Sequence, residues 1–146
     1  MAMAVVGIII GSITTAISQV FNLNTRTSNH MMAIRQAQNA GYWVSHDALM
    51  AQSVSTNTTG NGFPLVLKWT DWNGTVQYIT YSIVSSQLKR SNGGNESIIA
   101  NYIDQVQTSC NFTSNKLIFT VTATVGSGSK AESETRKYEV NPRPGS

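Results

Sequence analysis

AMAVVGIIIGSITTAISQVFNLNTRTSNHMMAIRQAQNAGYWVSHDALMAQ, residues 2–52, contains no proline, and its apolar residues recur every three or four positions, the spacing of one helix. Such a helix runs about 75 Å at 1.5 Å per residue, several times the usual globular length. Its two halves differ. Up to Thr25 there is no charged residue, and Val5, Val6, Ile8, Ile9, Ile10, Ile13, Ile17, Val20 and Phe21 make it apolar nearly all round, a surface that calls for lipid or other chains. Beyond Thr25 a single stripe remains, Met31, Ile34, Ala37, Gly41, Val44, Ala48 and Ala51, backed by Arg35, Gln36, Gln38, Asn39, Ser45 and Asp47. A striped helix needs one partner surface. Residues 1–25 are therefore expected to form a membrane or filament-core segment, and residues 26–52 an amphipathic segment whose Ile34, Ala37, Gly41, Val44 and Ala48 pack on a sheet. Gly7, Gly11 and Ala16 permit close helix–helix approach, while Ser12, Thr14, Thr15, Ser18 and Gln19 can bond back to the helix or across to neighbours.

After Gln52 the composition changes to Ser53-Val-Ser-Thr-Asn-Thr-Thr-Gly-Asn-Gly62, which favours a loop. A β-rich head over residues 53–146 follows. Phe63–Thr70 and Thr75–Ile83 read as strands around Asp71-Trp72-Asn73-Gly74, where Asn-Gly supplies the positive φ values of a tight turn. Gln87–Arg90, Ser97–Tyr102 (or a helical turn there), Asp104–Phe112, Lys116–Val125 and Glu132–Val140 are further strands. Leu117, Phe119, Val121, Ala123 and Val125 alternate with Thr120, Thr122 and Thr124, the pattern of a sheet with one buried face. Gly126-Ser-Gly-Ser129 turns the chain into the last hairpin. The fold class is α+β: a long N-terminal helix packed on a meandering antiparallel sheet.

Charged residues make up 12% of the 146-residue chain and give a net charge of +3, spread along the chain with no basic stripe to follow a phosphate backbone. No direct nucleic-acid partner is expected. The single cysteine, Cys110, excludes an intrachain disulfide and a thiolate metal cluster, and reads as a small buried residue in a strand. His30 and His46 lie about 24 Å apart along the helix, too far to share a metal. Ser45, His46 and Asp47 are triad letters, but helical neighbours point in different directions and form no relay. Gly126–Lys130 lacks the phosphate-loop spacing, and Asp71, Asn73 and Gly74 lack the further oxygens of a calcium loop. No catalytic residue, cofactor or metal site is expected, and an enzyme ranks third among the readings. Trp43, Trp69 and Trp72 could form a sugar-stacking face, with core or helix-to-sheet packing as the simpler role. Four Asn-x-Ser/Thr triplets, at Asn57, Asn73, Asn95 and Asn111, are close to the roughly three that composition supplies by chance, so they say nothing about glycosylation.

Ala2-Met-Ala-Val-Val-Gly-Ile-Ile-Ile-Gly11 resembles the "ELL.A.A..GI" segment of prepilin-like proteins. Leu67-Lys-Trp69, Tyr78-Ile-Thr-Tyr-Ser-Ile83, Leu88-Lys-Arg90, Ile99-Ala-Asn-Tyr-Ile103 and Arg136-Lys-Tyr-Glu-Val-Asn-Pro-Arg143 occur in an order similar to that in W-class minor pilins and J-class minor pseudopilins of type II secretion. Tyr81, Leu88 and Arg90 match the "Y…L.R" segment, with sheet packing and a surface cation as their simplest roles. The family's leader, a basic residue and Gly before Phe-Thr-Leu-Ile-Glu, is absent, so Met1 is not expected to mark the natural start. The methylated N-terminus and the assembly glutamate then fall on no residue here.

The resemblance implies a minor pilin or pseudopilin, a structural subunit that waits in the cytoplasmic membrane as a single-pass protein and is drawn into a filament at the cell surface or outside the cell. Other pilins, an inner-membrane assembly platform, an assembly ATPase and a prepilin peptidase acting on the precursor would be its partners. Two further readings are a membrane-anchored surface binding module with a single span and a cleaved secretory signal. The second lacks a basic n-region and an Ala-x-Ala-like site.

Overall fold

A computed structural model describes residues 2–143 of the chain, with side chains described from Ile13 onward. Helix α1 spans Ala2–Met50, 49 residues without interruption. The strands are β1 (Ser53–Ser55), β2 (Leu65–Thr70), β3 (Val76–Val84), β4 (Gln87–Asn92), β5 (Asn95–Ala100), β6 (Ser109–Thr113), β7 (Lys116–Val125) and β8 (Glu132–Val140). All pair antiparallel, so the class is α+β. The expected single meander is instead two sheets, β1-β2-β3-β4-β5 and β6-β7-β8. The break falls at Asn101–Gln107, where Asp104 Oδ1 accepts the Val106 and Gln107 N–H groups at 2.9 and 3.1 Å. That local capping competes with a ladder. It also explains why the strand expected from Asp104 begins only at Ser109. An Ile103↔Ala123 bridge and the Asp104 N–H to Thr122 O bond join the sheets across the break.

Other boundaries move for local reasons. Ser53–Ser55, expected as loop, pairs with Lys68, Leu67 and Val66 as an edge strand. The strand expected at Ser97–Tyr102 runs Asn95–Ala100, because Gly93-Gly94 lets the chain fold back at once onto β4. Between β2 and β3 only Gly74 has positive φ, 82°, and its N–H donates to Asp71 O at 2.9 Å. Asn73 is not left-handed, contrary to the sequence reading.

The core lies between α1 and the sheets. Leu65, Leu67, Ile79, Tyr81 and Leu88 from the five-stranded sheet, and Leu117, Phe119, Val121 and Ala123 from β7, are fully buried. On the helix Ala33, Ala37, Ala40, Val44 and Ala48 are fully buried, and Gly41 is buried beside them. Small residues there allow the Tyr138 ring to lie on the helix backbone: a Cβ at Gly41 would overlap the ring, whose hydroxyl donates to Ala37 O at 3.4 Å. Ile34 is half-buried, and Met31 is 48% exposed on the other side of the helix.

The expected single-pass membrane location is overturned: among the described residues no helix is long and apolar enough to cross a membrane. Thr14, Thr15, Ser18, Gln19, Asn22 and Asn24 interleave with Ile13, Ile17, Val20, Phe21 and Leu23, and Arg26 follows. Over residues 13–26 the amides of Gln19, Asn22 and Asn24 and the charge of Arg26 would cost free energy in hydrocarbon, whereas the Ser18 and Thr25 hydroxyls are bonded within the helix. The side chains of Val5, Val6, Ile8, Ile9 and Ile10 lie outside the described residues.

Two substitutions probe this packing. Gly41→Ala should lower stability by about 1–3 kcal/mol through overpacking against Tyr138, read as a lower urea midpoint. Ser85 and Ser86, in the two-residue β3–β4 turn, sit at φ 51° and 59°, where a side chain is strained. Ser85→Asn with Ser86→Gly should raise stability by about 1 kcal/mol in the same assay.

Candidate functional site

Every described side chain from Ile13 to Ser28 is exposed. Of the proposed assembly residues, Ile13, Ile17, Val20 and Phe21 stand 50–67% open to solvent, as does Leu23. The helix is tied to the head from Arg26 onward. Arg26 Nε donates to Glu132 Oε1 at 2.7 Å, Asn29 Nδ2 to Lys130 O at 2.8 Å, and Gln36 Oε1 accepts the Asn101 N–H at 2.7 Å. Residues 13–25 thus extend from the head as a rod with apolar side chains on more than one face.

Where the helix crosses the five-stranded sheet, a polar cluster fixes it. Asp47, one turn from Val44 and Ala51 on the packed face, has a side chain only 5% exposed. Its Oδ2 accepts from the Tyr81 hydroxyl at 2.5 Å and from Arg90 Nε at 2.7 Å, while Oδ1 accepts from Arg90 Nη2 at 3.2 Å. β3 supplies Tyr81 and β4 supplies Arg90, paired residues on adjacent strands. Trp43 covers the guanidinium, with Arg90 Cζ 5.3 Å from its ring centroid. A fork-shaped guanidinium on a buried carboxylate is a strong arrangement, and the indole stacks on its flat face.

Burial, with the Asp47 hydrogen bond second, raises the Tyr81 pKa far above the usual tyrosine value, so the hydroxyl stays protonated and donating. The hydrogen bond to Asp47 raises the Arg90 pKa further. Arg90 is therefore no free surface cation: its side chain is 18% exposed and paired. Asp47, expected on the solvent side, is a buried anchor.

The remaining candidates disperse. His46 Nδ1 comes 3.6 Å from Asp47 Oδ1, beyond hydrogen-bond length, and its ring stacks on Tyr42. His30 is exposed further along the helix. Trp69 packs partly against the core, and Trp72 is 93% exposed at the β2–β3 turn, so the three tryptophans do not share a face. Burial pushes the Cys110 thiol up to about 12, and its Sγ donates to Gly62 O at 3.0 Å, which makes it a poor nucleophile. Among the described residues no three His, Cys, Asp or Glu side chains converge as metal ligands. Beside Gly41 an apolar groove of about 420 Å³ opens between Tyr42, Leu49 and Tyr138.

Compared with family models, with curated proteins and with solved structures, the chain gives no match.

Asp47→Ala should cost about 3–5 kcal/mol in urea unfolding, because it leaves a buried guanidinium and a hydroxyl unpaired. Tyr81→Phe should cost about 1 kcal/mol. A raised folded pKa means that the Tyr81 contribution is complete below the usual tyrosine value of about 10 and is lost as pH climbs beyond it. Stability measured from pH 8 upward should therefore fall, and Tyr81→Phe should flatten that fall, leaving the smaller slope from Tyr138, also raised by burial.

Proposed function

We propose that this chain is a filament subunit of the pilin-like kind, a minor pilin or pseudopilin whose work is assembly, with the helix of each copy packed against helices of other copies. The observation that carries the reading is the bare helix from Ile13 to Ser28, joined without a break to a half seated on an antiparallel head. Burying an aromatic or branched side chain contributes about 1.5–3 kcal/mol, so Ile13, Ile17, Val20, Phe21 and Leu23 together provide a strong drive to associate. Helical geometry places Met31, Gln38, Tyr42 and Leu49 in line with Ile13, Ile17 and Val20, opposite the packed alanines. The groove beside Gly41 lies on that line and can receive an apolar side chain from another copy. The ordered resemblance of the head strands to minor pilins favours a role in initiating or capping a filament.

The full chain, purified and concentrated, should sediment as assemblies and yield rods in negative-stain electron micrographs. Phe21→Asp and Ile17→Asp should each weaken association about tenfold or more while leaving the circular dichroism of the head unchanged. A chain that stays monomeric at every concentration, or variants that assemble like the parent, would overturn the proposal.

A further inference from the structure

The chain holds three Asn-Gly pairs, Asn61-Gly62, Asn73-Gly74 and Asn92-Gly93. In each, the backbone nitrogen of a residue without a Cβ can approach the asparagine side-chain carbonyl, but the three surroundings differ. Asn61 is held: its Nδ2 donates to Gln105 O at 2.9 Å, its Oδ1 accepts the Phe63 N–H at 3.4 Å, and Cys110 fills the space beside Gly62. Asn73 is held too. Its Oδ1 accepts the Thr75 N–H at 3.1 Å, and the attacking nitrogen of Gly74 is engaged with Asp71 O at 2.9 Å.

Asn92 is different. It closes β4 opposite Asn95, is exposed, and leads into Gly93-Gly94 at φ 56° and 90°, with open space around both glycines. Among the described residues nothing bonds its side-chain amide or the Gly93 N–H.

We propose that Asn92 is a site of spontaneous deamidation, favoured over the other two pairs by the hairpin that presents it. The Gly93 nitrogen attacks Asn92 Cγ, the Cγ–Nδ2 bond breaks, and ammonia leaves with the proton lost by the Gly93 amide, which gives a cyclic imide. Water then opens the ring at either carbonyl, leaving aspartate or isoaspartate, with no change of oxidation state. Aspartate adds one negative charge two residues from Arg90. Isoaspartate routes the main chain through Cβ, and the two-residue turn can no longer close the Asn92↔Asn95 pair. The β4–β5 hairpin loosens with age from its tip.

The full chain incubated in mildly alkaline buffer, sampled over time and peptide-mapped by mass spectrometry, tests this. The Asn92 peptide should gain the mass of amide-to-acid exchange, as two separable products, about fivefold or more faster than the Asn73 peptide, the factor expected for one hydrogen bond that must first open. Asn61 should be slower still. In denaturant the three rates should converge, and Asn92→Gln should remove only the fast site. Folded chain in which Asn61 or Asn73 converts as fast as Asn92, or a rate order that survives unfolding, would overturn the proposal.

Discussion

A carboxylate almost sealed from water must find its hydrogen-bond donors inside the protein, and the arrangement of helix and sheet follows from where Asp47 finds them. Both donors come from the five-stranded sheet, one from each of two neighbouring strands. Turning α1 by a single residue about its axis would swing the carboxylate about 100° away from Arg90 and Tyr81 and leave three polar groups stranded. The alanines around it would tolerate several registers, since small apolar side chains pack interchangeably. The charge would not, and neither would Gly41, which must stay beneath the Tyr138 ring. Asp47 therefore contributes specificity of seating more than net stability, and Trp43, laid over the guanidinium, keeps solvent from competing for the same bonds.

The seating has consequences some 30 residues away. Because α1 is continuous, fixing its rotation at Asp47 and again at Arg26 and Asn29 fixes the direction in which Ile13, Ile17, Val20 and Phe21 face. The head and the projecting rod are thus one rigid lever whose orientation the polar cluster sets. A neighbouring copy would meet the same face on every subunit, which repetitive assembly requires.

The sequence was most legible where periodicity is long and uninterrupted. Lys116–Val125 and Glu132–Val140 appear at their expected limits, the first because strict alternation marks it and the second because it follows the Gly126–Ser129 turn. Helix α1 appears at nearly its expected length because its three-to-four spacing is unbroken. What stayed hidden was set by tertiary contact or by single side chains. Asp104 stops a strand by capping two N–H groups, and nothing in the alternation of residues 104–112 reveals it. Ser53–Ser55 is a strand only because β2 lies beside it. Asp47 was misplaced because charge was taken to mean solvent. Its spacing from Val44, Ala48 and Ala51, with an arginine facing inward from β4, is the pairing that could have exposed it. The membrane location is overturned over the described residues, where Gln19, Asn22, Asn24 and Arg26 interrupt the apolar side chains.

The Ser18 hydroxyl donates to Thr14 O and that of Thr25 to Phe21 O, both at 3.0 Å, so part of the polar surface is satisfied by the helix itself. Starting a helix is the costly step, and here the packed half from Arg26 to Met50 provides the nucleus, from which the exposed half propagates one hydrogen bond per residue. For the proposed assembly this matters energetically. A segment that must fold as it binds loses conformational entropy at that moment, whereas a rod already helical brings its apolar side chains to a neighbour with most of the ordering complete. The alanine face, the Asp47 cluster and the Arg26–Glu132 pair thus act on the bare half without touching it: they hold its helix in register, and the apolar residues remain free to contact another chain.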